Sequence, residues 1–474
     1  MTIPTTPGKA PAFPSAERGR PSVAARAEQG RSWREHAPLE ALADWSPATD
    51  RPDPVALLRE QDAARVPELV PIRYGRMSAS PFAFYRGSAA VMAADLAALP
   101  RSGGTTQLCG DAHVANFGVY AAADRRLVFD INDFDETLPG PFEWDVLRLA
   151  ASLVLAARDR GFDRDVARDA ARAAAWAYRI TTASLAHQRT LDVWYARVDE
   201  ERIMQTLEAA SATKREHRVA ADTFDKARTR TSLRAAEKLT ELVDGHLQFR
   251  EAPPLVSREP LSALDRDQYD AVFDAYRSTL DDPLRHLLDR FDRVDAARKV
   301  VGVGSVGTQA YVLLLAGRDD DDPLVLQLKQ AQESVLERYL EPSEYDHAGQ
   351  RVVNGQRHAQ AASDILLGWA TGPAGRHFYV RQLHDMKGSI DLARIRRRGL
   401  VAIAELCGAT LARAHARAGD AAAVAGYLGQ DPDDDRFEKA VARFARKYAD
   451  QAEADAALLD DAIAAGDVET VTGV

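Results

Sequence analysis

Two short stretches of the chain crowd acidic and amide side chains together. "CGDAHVANFG", residues 109–118, places Asp111, His113 and Asn116 between glycines, and "VFDINDFDE", residues 128–136, holds four carboxylates in nine residues. Carboxylates at this density repel one another and raise one another's pKa unless a cation or a hydrogen-bond network holds them. The crowding therefore indicates a site that binds a cation, and a metal ion with nucleotide phosphates would bring the balancing charges.

The spacing of these residues is that of a kinase-type phosphotransferase centre. Asn116 follows Asp111 by five residues, a predicted hairpin comes next, and Asp133 follows the hairpin. Phosphoryl transfer needs one carboxylate near the acceptor hydroxyl, and an amide and a second carboxylate to hold Mg²⁺. Ordinary turn and capping residues are the alternative, because Asp and Asn favour turns.

A glycine-rich loop lies almost two hundred residues further along the chain. "GVGSVG" matches the pattern G-x-G-x-x-G through Gly302, Gly304 and Gly307, with Ser305 between them. A dinucleotide fold needs such a loop to begin a helix, whereas "AYVLLL" continues this one as a strand. A glycine loop between two strands is typical of kinases, where its backbone covers the nucleotide phosphates. A plain strand turn is the alternative.

Lys329 ends the next predicted strand, "LVLQLK". A lone lysine at a strand end is usually a solvated surface residue. Its place in a hairpin directly after a glycine loop favours a different role, the cation that holds the α- and β-phosphates. Its acidic partner stays open, since the nearby side chains are Gln356, Gln360, Glu333 and Glu337.

"CGDAHVANFG…VFDINDFDETLPGPFEWDVLRLA" resembles the "HGDxHxxN…IDFxxxxxGxPxxDLA" pattern of aminoglycoside and choline kinase-like phosphotransferases. The number of residues between motif positions matches from Asp111 to Asn116, and from Asp133 through Gly140 to Asp145. The pattern has His where this chain has a cysteine, so it is met in part.

The resemblance implies a role for each matching residue. It makes Asp111 the catalytic base and Asn116 and Asp133 the Mg²⁺ ligands, and it makes Asp145 a brace for the catalytic loop. Asp130 competes for the second ligand position, but its spacing to the following glycine does not fit. ATP and Mg²⁺ are the implied cofactors.

From about residue 55 to 460 the chain resembles the bacterial domain of unknown function 2252 family. "SPFAFYRG", "GDAHVANFG", "NDFDETLPGPFEWD", "VVGVGSVGTQAY" and "RQLHDMKGS" carry that match. The family name supplies no reaction.

The order of the motifs is inverted relative to kinases, because the catalytic loop precedes the glycine loop. We therefore expect an α+β, protein-kinase-like two-lobe fold that is circularly permuted, with a large helical lobe and a small β-rich nucleotide lobe. "RQLHDMKGS" would lie at or near the hinge, and the helix "ELCGATLARAHARAG" would lead in space into the catalytic loop. A site that depends on spatial convergence tolerates such a permutation.

The predicted elements fit four segments. A disordered arm is expected over residues 1–35, and a helical catalytic lobe with the catalytic loop and metal-binding hairpin over 36–295. A β-rich nucleotide lobe is expected over 296–391, and C-terminal helices packing on the catalytic lobe over 392–474. Residues 163–293 are overwhelmingly helical in pattern.

Composition narrows the class of protein. A net charge of −10 argues against general binding to nucleic acid or anionic membranes. The two cysteines, Cys109 and Cys407, form no metal-binding spacing and suit a reducing cytoplasm. No signal peptide or membrane span is apparent, so we expect a cytoplasmic location.

Two smaller features stay open. His113 would orient the catalytic loop or touch phosphate, although a structural hydrogen bond explains it equally well. Arg86 in "FYRG" is expected to pair with the carboxylate cluster, with phosphate contact as the alternative.

An ATP- and Mg²⁺-dependent phosphotransferase explains the motifs best. The alternatives are a nucleotide-binding pseudokinase or regulatory module, a kinase-fold AMP transferase, and a metal-dependent hydrolase, which would leave the glycine loop and the lysine without a role. The sequence does not identify the acceptor, for which a small molecule is one option, and it does not give the oligomeric state.

Overall fold

The computed structural model describes residues 19–209, 214–244, 246–258, 266–300, 302–304, 306–319, 321–383, 385–431 and 433–473. The chain combines helices with antiparallel sheets, and the predicted α+β class is confirmed. The helices are α1 Val23–Ser32, α2 Pro54–Asp62, α3 Val70–Met77, α4 Pro81–Gly87, α5 Ala89–Ala97, α6 Phe142–Asp159, α7 Arg164–Ala186, α8 Thr190–Tyr195, α9 Glu200–Ala209, α10 Lys214–Arg228, α11 Ser232–Leu239, α12 Arg266–Ser278, α13 Asp282–Leu288, α14 Ala348–Ala359, α15 Arg397–Ala418, α16 Ala421–Leu428 and α17 Arg436–Ala464. The strands are β1 Thr105–Leu108, β2 Phe117–Ala121, β3 Leu127–Ile131, β4 Leu138–Pro141, β5 Val198–Asp199, β6 Thr240–Val243, β7 His246–Phe249, β8 Val256–Ser257, β9 Asp292–Lys299, β10 Ala310–Ala316, β11 Pro323–Ala331, β12 Gly368–Thr371, β13 His377–Gln382 and β14 Gly388–Ser389.

Long helices make up the body that carries the acidic motifs. α6 is apolar on nearly all sides and buried along almost its whole length, with α7, α15 and α17 packed around it. A helix that is apolar all round belongs in a core. α7 and α15 approach so closely that a Cβ on Gly408 would lie 2.1 Å from the Ala174 carbonyl oxygen. Glycine at this position permits the contact between the two backbones.

A six-stranded antiparallel sheet, in the order β12-β13-β11-β10-β9-β8, carries the glycine loop and the lysine. The glycine loop connects β9 to β10, and β11 runs between β10 and β13. Lys329 in β11 lies opposite Ala310 in β10 and Tyr379 in β13. Because side chains alternate along a strand, Lys329 shares a face with Val325, and that face packs against α11.

Smaller strands join this sheet to the acidic motifs. β2 and β3 form a hairpin between the catalytic loop, residues 109–116, and the acidic loop, residues 132–137. β1 pairs with β4. β14, which follows the six-stranded sheet in the chain, pairs with β2. At the end of α15 the His415 carbonyl accepts a hydrogen bond from Thr106 Oγ1 in β1 at 3.0 Å. Segments from the two ends of the chain therefore meet beside the catalytic loop.

Most strands and helices around the motifs occur where the pattern predicted them. The predicted hairpin, the strand after the glycine loop and the strand that contains Lys329 are present as β2–β3, β10 and β11. No helix in the described parts of the chain combines the length and the apolar character that crossing a bilayer requires.

Two regions differ from the predicted segments. Within the arm expected over residues 1–35, α1 is helical and packs on α16, where a Cβ on Gly30 would lie 1.8 Å from the Ala423 carbonyl oxygen. Residues 1–18 lie outside the described residues. The expected helical stretch 163–293 also contains β5 to β8, and β8 extends the six-stranded sheet, so the β-rich part begins before residue 296. Strands of two to four residues are too short to give a clear periodicity.

The substitution Gly408→Ala is expected to lower the free energy of unfolding by about 1–3 kcal/mol. The added methyl group would push α7 and α15 apart, and this cost outweighs the roughly 1 kcal/mol that alanine gains in a helix. Urea unfolding of the purified protein measures the change. Gly19→Ala, whose Cβ would meet nothing within 4 Å, is the matched control. Equal stability of the two variants would show that the helices are not in contact at Gly408.

Candidate functional site

One cleft of about 410 Å³ lies between the catalytic loop, the acidic loop and the glycine loop. It is a size that binds small-molecule ligands. The predicted residues that line it are Asp111, His113, Asn116, Asp133, Gly302 and Gly304. Helices α2, α4 and α5 contribute the wall opposite the acids. Two motifs that are far apart in sequence therefore face each other across a single cavity.

Asp145 fixes the start of the catalytic loop. Its carboxylate accepts hydrogen bonds from the backbone N–H groups of Cys109 at 2.8 Å and Gly110 at 3.1 Å, and it lies 3.2 Å from His415 Nε2. Gly110 has a φ of +82°, and a Cβ there would lie 2.2 Å from the Glu136 carbonyl oxygen. The contact that the resemblance implied for Asp145 is present, and glycine is required beside it.

Asp111 is held by a buried arginine. Arg148 on α6 donates to Asp111 Oδ1 at 2.7 Å. The other oxygen, Oδ2, lies 3.7 Å from His113 Nε2. Burial lowers the pKa of His113 to about 4, so its imidazole is neutral at pH 7. The arrangement orients one Asp111 oxygen and leaves the other at the cleft.

Asn116 and Asp133 are adjacent at the end of the β2–β3 hairpin. Asn116 Nδ2 donates to the Asp111 carbonyl at 2.9 Å, and the Asn132 N–H donates to the Asn116 carbonyl at 2.8 Å. The amide oxygen of Asn116 is thereby left to accept or to ligate, because its NH₂ group is already used. Burial raises the pKa of Asp133, but Lys329 and other cations outweigh it, so the pKa lies below its usual range and the carboxylate is anionic.

Lys329 joins the six-stranded sheet to the acidic loop. Its ammonium lies 3.4 Å from Asp133 Oδ2 and also contacts Asp135, although the lysine side chain is only 3% exposed. Tyr379, opposite Lys329 in the sheet, donates to Asp135 Oδ1 at 2.8 Å. Burial alone lowers the pKa of Lys329, but the two carboxylates outweigh it and raise the pKa above its ordinary value. Burial and the neighbouring Asp133 raise the pKa of Asp135.

None of the four side chains considered as the Lys329 partner is its contact. Gln356 donates to Gln360, which donates to the Ile131 carbonyl at 2.6 Å. Glu337 forms a capping box with Ser334, and Glu333 lines the cleft.

In place of an acid, α14 supplies Arg351. Arg351 donates to the carbonyl oxygens of Thr137, Asp135 and Gln332, at 2.5, 2.8 and 2.7 Å. It therefore fixes the backbone of the acidic loop.

Arginine also holds the glycine loop. Arg65 donates to the Gly304 carbonyl at 2.9 Å and the Val306 carbonyl at 2.5 Å. Gly302 and Gly307 have φ values of +74° and +90°, a conformation that L side chains rarely adopt. Gly307 lies beside Arg65 rather than at the cleft surface. The predicted Ser305 lies outside the described residues.

Two sequence expectations on nearby residues have different outcomes. Asp130 is fully buried and pairs with Arg413 at 2.5 Å, away from the cleft, so it is not placed to compete as a metal ligand. Arg86 lines the cleft, but among the described residues it makes no ion pair, so its expected pairing with the carboxylates is wrong.

Three functional neighbours were not singled out from the sequence. Asp135 lies two residues beyond Asp133, so its place in the same acidic motif could have indicated it. Tyr379 is found only through its register with Lys329. Arg148 lies one helical turn beyond Asp145 on α6, so both face the catalytic loop.

The donor set limits which cation the cleft can bind. In the described ranges, no group of three His, Cys, Asp or Glu side chains is arranged to hold a metal ion. Mg²⁺ commonly takes one or two protein ligands and completes its shell with phosphate and water oxygens. The Asn116 amide and the Asp133 carboxylate fit that smaller set.

A second cavity of about 670 Å³ is larger but lies on the other face of the six-stranded sheet. Its wall is mainly apolar, with Phe273, Tyr276, Tyr311 and Phe378. It contains no group of acids, and we therefore assign the chemistry to the smaller cleft.

The cleft also contains a carboxyl group with an unusual proton affinity. Burial raises the pKa of Glu136 to about 7, although the Val335 N–H donates to it at 2.7 Å. The folded protein therefore keeps a proton on Glu136 up to about pH 7, whereas the unfolded chain releases it near the ordinary pKa of 4.5. The stability gained from this proton is present below pH 4.5 and is lost as the pH rises through 7.

Of three comparisons with known proteins, one gives a match. The family model described as "Uncharacterized protein conserved in bacteria (DUF2252)" matches residues 65–462. No curated protein and no solved structure matches the chain.

The substitution Glu136→Gln is expected to remove the pH dependence of stability that the raised pKa of Glu136 produces. Relative to the variant, the wild-type protein should lose about 1–3 kcal/mol of unfolding free energy between pH 4.5 and pH 7.5. His113 contributes the opposite slope between pH 4 and 6.5, but it is present in both proteins and cancels in the difference. Urea unfolding of both proteins at the two pH values measures the difference in their free energies of unfolding. A difference that does not change with pH would contradict the burial of Glu136.

Proposed function

We propose that this chain, which belongs to the bacterial DUF2252 family, is an ATP- and Mg²⁺-dependent phosphotransferase. The observation that carries the proposal is the contact of Lys329 Nζ with Asp133 Oδ2 at 3.4 Å. It joins the cation that follows the glycine loop to the carboxylate that follows the catalytic loop. Phosphoryl transfer requires both groups in one site, the lysine for the nucleotide phosphates and the carboxylate for Mg²⁺.

In this proposal, the six-stranded sheet is the nucleotide lobe of a circularly permuted kinase-like fold. The end of α15 lies against β1, through the bond from Thr106 Oγ1 to the His415 carbonyl. In an unpermuted chain a helix in this position would lead directly into the catalytic loop. The pairing of β14 with β2 supports a hinge in the segment that connects the sheet to the helical body.

The predicted glycine, lysine, amide and carboxylate residues around the cleft have distinct roles in the proposed reaction. Gly302 and Gly304 cover the phosphates, Lys329 binds them, and Asn116 with Asp133 would hold Mg²⁺. Bound Mg²⁺ would neutralise charge on the β- and γ-phosphates. The acceptor oxygen bonds to the γ-phosphorus, the bond from that phosphorus to the β–γ bridging oxygen breaks, and ADP leaves.

Asp111 is the proposed acceptor of the hydroxyl proton. Arg148 fixes Oδ1 at 2.7 Å, so the oxygen that takes the proton is Oδ2. Neutral His113, 3.7 Å from Oδ2, adds no positive charge that would oppose protonation. A positioned carboxylate of this kind contributes about 10²–10⁴-fold to a rate.

A second candidate is a nucleotide-binding module with little catalysis. One observation favours it: α14 offers Lys329 no acid, and the lysine pairs instead with Asp135 and with Asp133, the carboxylate that would bind the metal ion. AMP transfer to an acceptor would use the same groups and differs in which phosphorus is attacked.

Nucleotide binding is expected to require Asp133. MgATP at about 100 times its dissociation constant should stabilise the wild-type protein by about 2.7 kcal/mol, seen as a higher melting temperature. Asp133→Asn should lose this shift. Asp124→Asn, in the exposed turn of the same hairpin, is the control that keeps it. An equal rise in the melting temperature of Asp133→Asn would show that Asp133 does not take part in nucleotide binding.

Turnover is tested with water as the acceptor, because the natural acceptor is unknown. Phosphoryl transfer gives ADP and phosphate, whereas attack at the α-phosphorus gives AMP and pyrophosphate. Asp111→Asn should reduce ADP formation by about 10²-fold or more, while retaining an oxygen for Arg148. Undiminished turnover in that variant would contradict the assigned base. MgATP binding without any turnover would favour the second candidate.

A further inference from the structure

With one exception, the cations among the described residues of the cleft are already engaged by the protein. Arg65 binds carbonyl oxygens of the glycine loop, and Arg338 pairs with Glu60 at 2.9 Å. Below the surface, Arg148 is held by Asp111. Among the described residues that line the cleft, Arg86 is the cation with neither an ion pair nor a hydrogen bond from its side chain.

The position of Arg86 explains why it has no partner. It lies in the last turn of α4, and its guanidinium carbon lies 5.9 Å from the centroid of the Phe82 ring. Its Nε is buried and makes no hydrogen bond. Asp111, the carboxylate whose charge acts on Arg86, is already paired with Arg148. The guanidinium of Arg86 therefore keeps its donors for an acceptor that a ligand in the cleft would supply.

A second unpartnered group lies in the same cleft. His113 is only 6% exposed, and its Nδ1 is buried without a hydrogen-bond partner. The glycine loop lies directly against Arg86, since a Cβ on Gly304 would be 3.1 Å from the Arg86 carbonyl oxygen. The two unsatisfied side chains and the glycine loop therefore line one part of the cleft, beside the proposed base.

We propose that Arg86 binds the terminal phosphate of the nucleoside triphosphate, with His113 as a hydrogen-bonding neighbour. This inference rests on the proposed function. The planar guanidinium fork matches two phosphate oxygens. Charge moves onto the oxygens around the reacting phosphorus during transfer, and a cation already in place stabilises it without rearrangement. Arg86 therefore favours a triphosphate over a diphosphate.

The test compares MgATP and MgADP binding by isothermal titration calorimetry. The wild-type protein should bind MgATP more tightly than MgADP. Arg86→Gln should reduce the ratio of the two affinities by about 10-fold or more, as expected for a charged hydrogen bond, with little change for MgADP. Arg338→Gln, which removes a paired arginine at the same cleft, is the matched control and should preserve the ratio.

The outcomes separate this inference from the proposed function. If wild-type protein binds neither nucleotide, the proposed function fails and this inference fails with it. If wild-type protein prefers MgATP and Arg86→Gln keeps the same preference, only the role of Arg86 is overturned. Arg86→Lys, which keeps the charge but loses the fork, covers the case in which the glutamine variant does not fold. An unchanged preference in Arg86→Lys would then overturn the inference, and a reduced one would support it.

Discussion

The ionic link from Lys329 to Asp133 and Asp135 is the interaction on which the cleft depends. A lysine that is 3% exposed must be paired, and its two carboxylate partners lie 196 and 194 residues away in the chain. Removal of either side would leave buried charge without compensation, which is far more costly than the net value of the pair itself. The same link fixes where the six-stranded sheet lies relative to the catalytic loop, and so determines the width of the cleft between them.

Other contacts transmit that constraint to the catalytic groups. Arg351 binds three backbone carbonyls in the acidic loop and the chain after β11, and Asp145 holds the N–H groups at the start of the catalytic loop. His415 connects Asp145 to the end of α15. The positions of the acids are therefore set by contacts between elements from the first and last thirds of the chain. A site of this kind is compatible with the motif order observed here, because it requires convergence in space and not in sequence.

Much of this arrangement follows from local pattern, and the remainder is tertiary. Short apolar runs beside turns and glycines predicted the β2–β3 hairpin and the strands β10 and β11. The spacing of Asp111, Asn116 and Asp133, together with the resemblance to kinase-like phosphotransferases, selected these residues. The contact of Lys329 with Asp135 was missed, although Asp135 lies in the same acidic motif as Asp133. The place of Tyr379 beside Lys329 was not predictable, because it follows from strand register. The sequence did not predict that α1 is a folded helix. This polar segment contains Ala, Arg and Glu, and it gains its stability from close packing on α16 rather than from its own pattern. The unpaired state of Arg86 was missed, because the sequence does not reveal that Arg148 occupies Asp111.

The most direct measurement is a double-mutant cycle between Lys329→Met and Asp135→Asn on the free energy of unfolding. Residues in contact within an ionic network show coupling energies of about 0.5–3 kcal/mol, whereas distant residues are additive to within about 0.5 kcal/mol. We expect a coupling of at least about 1 kcal/mol. The two single substitutions together should then lower the free energy of unfolding by more than the double substitution does. Additive effects would mean that the lysine and the acidic loop do not meet, and that the glycine loop and the catalytic loop do not share a cleft.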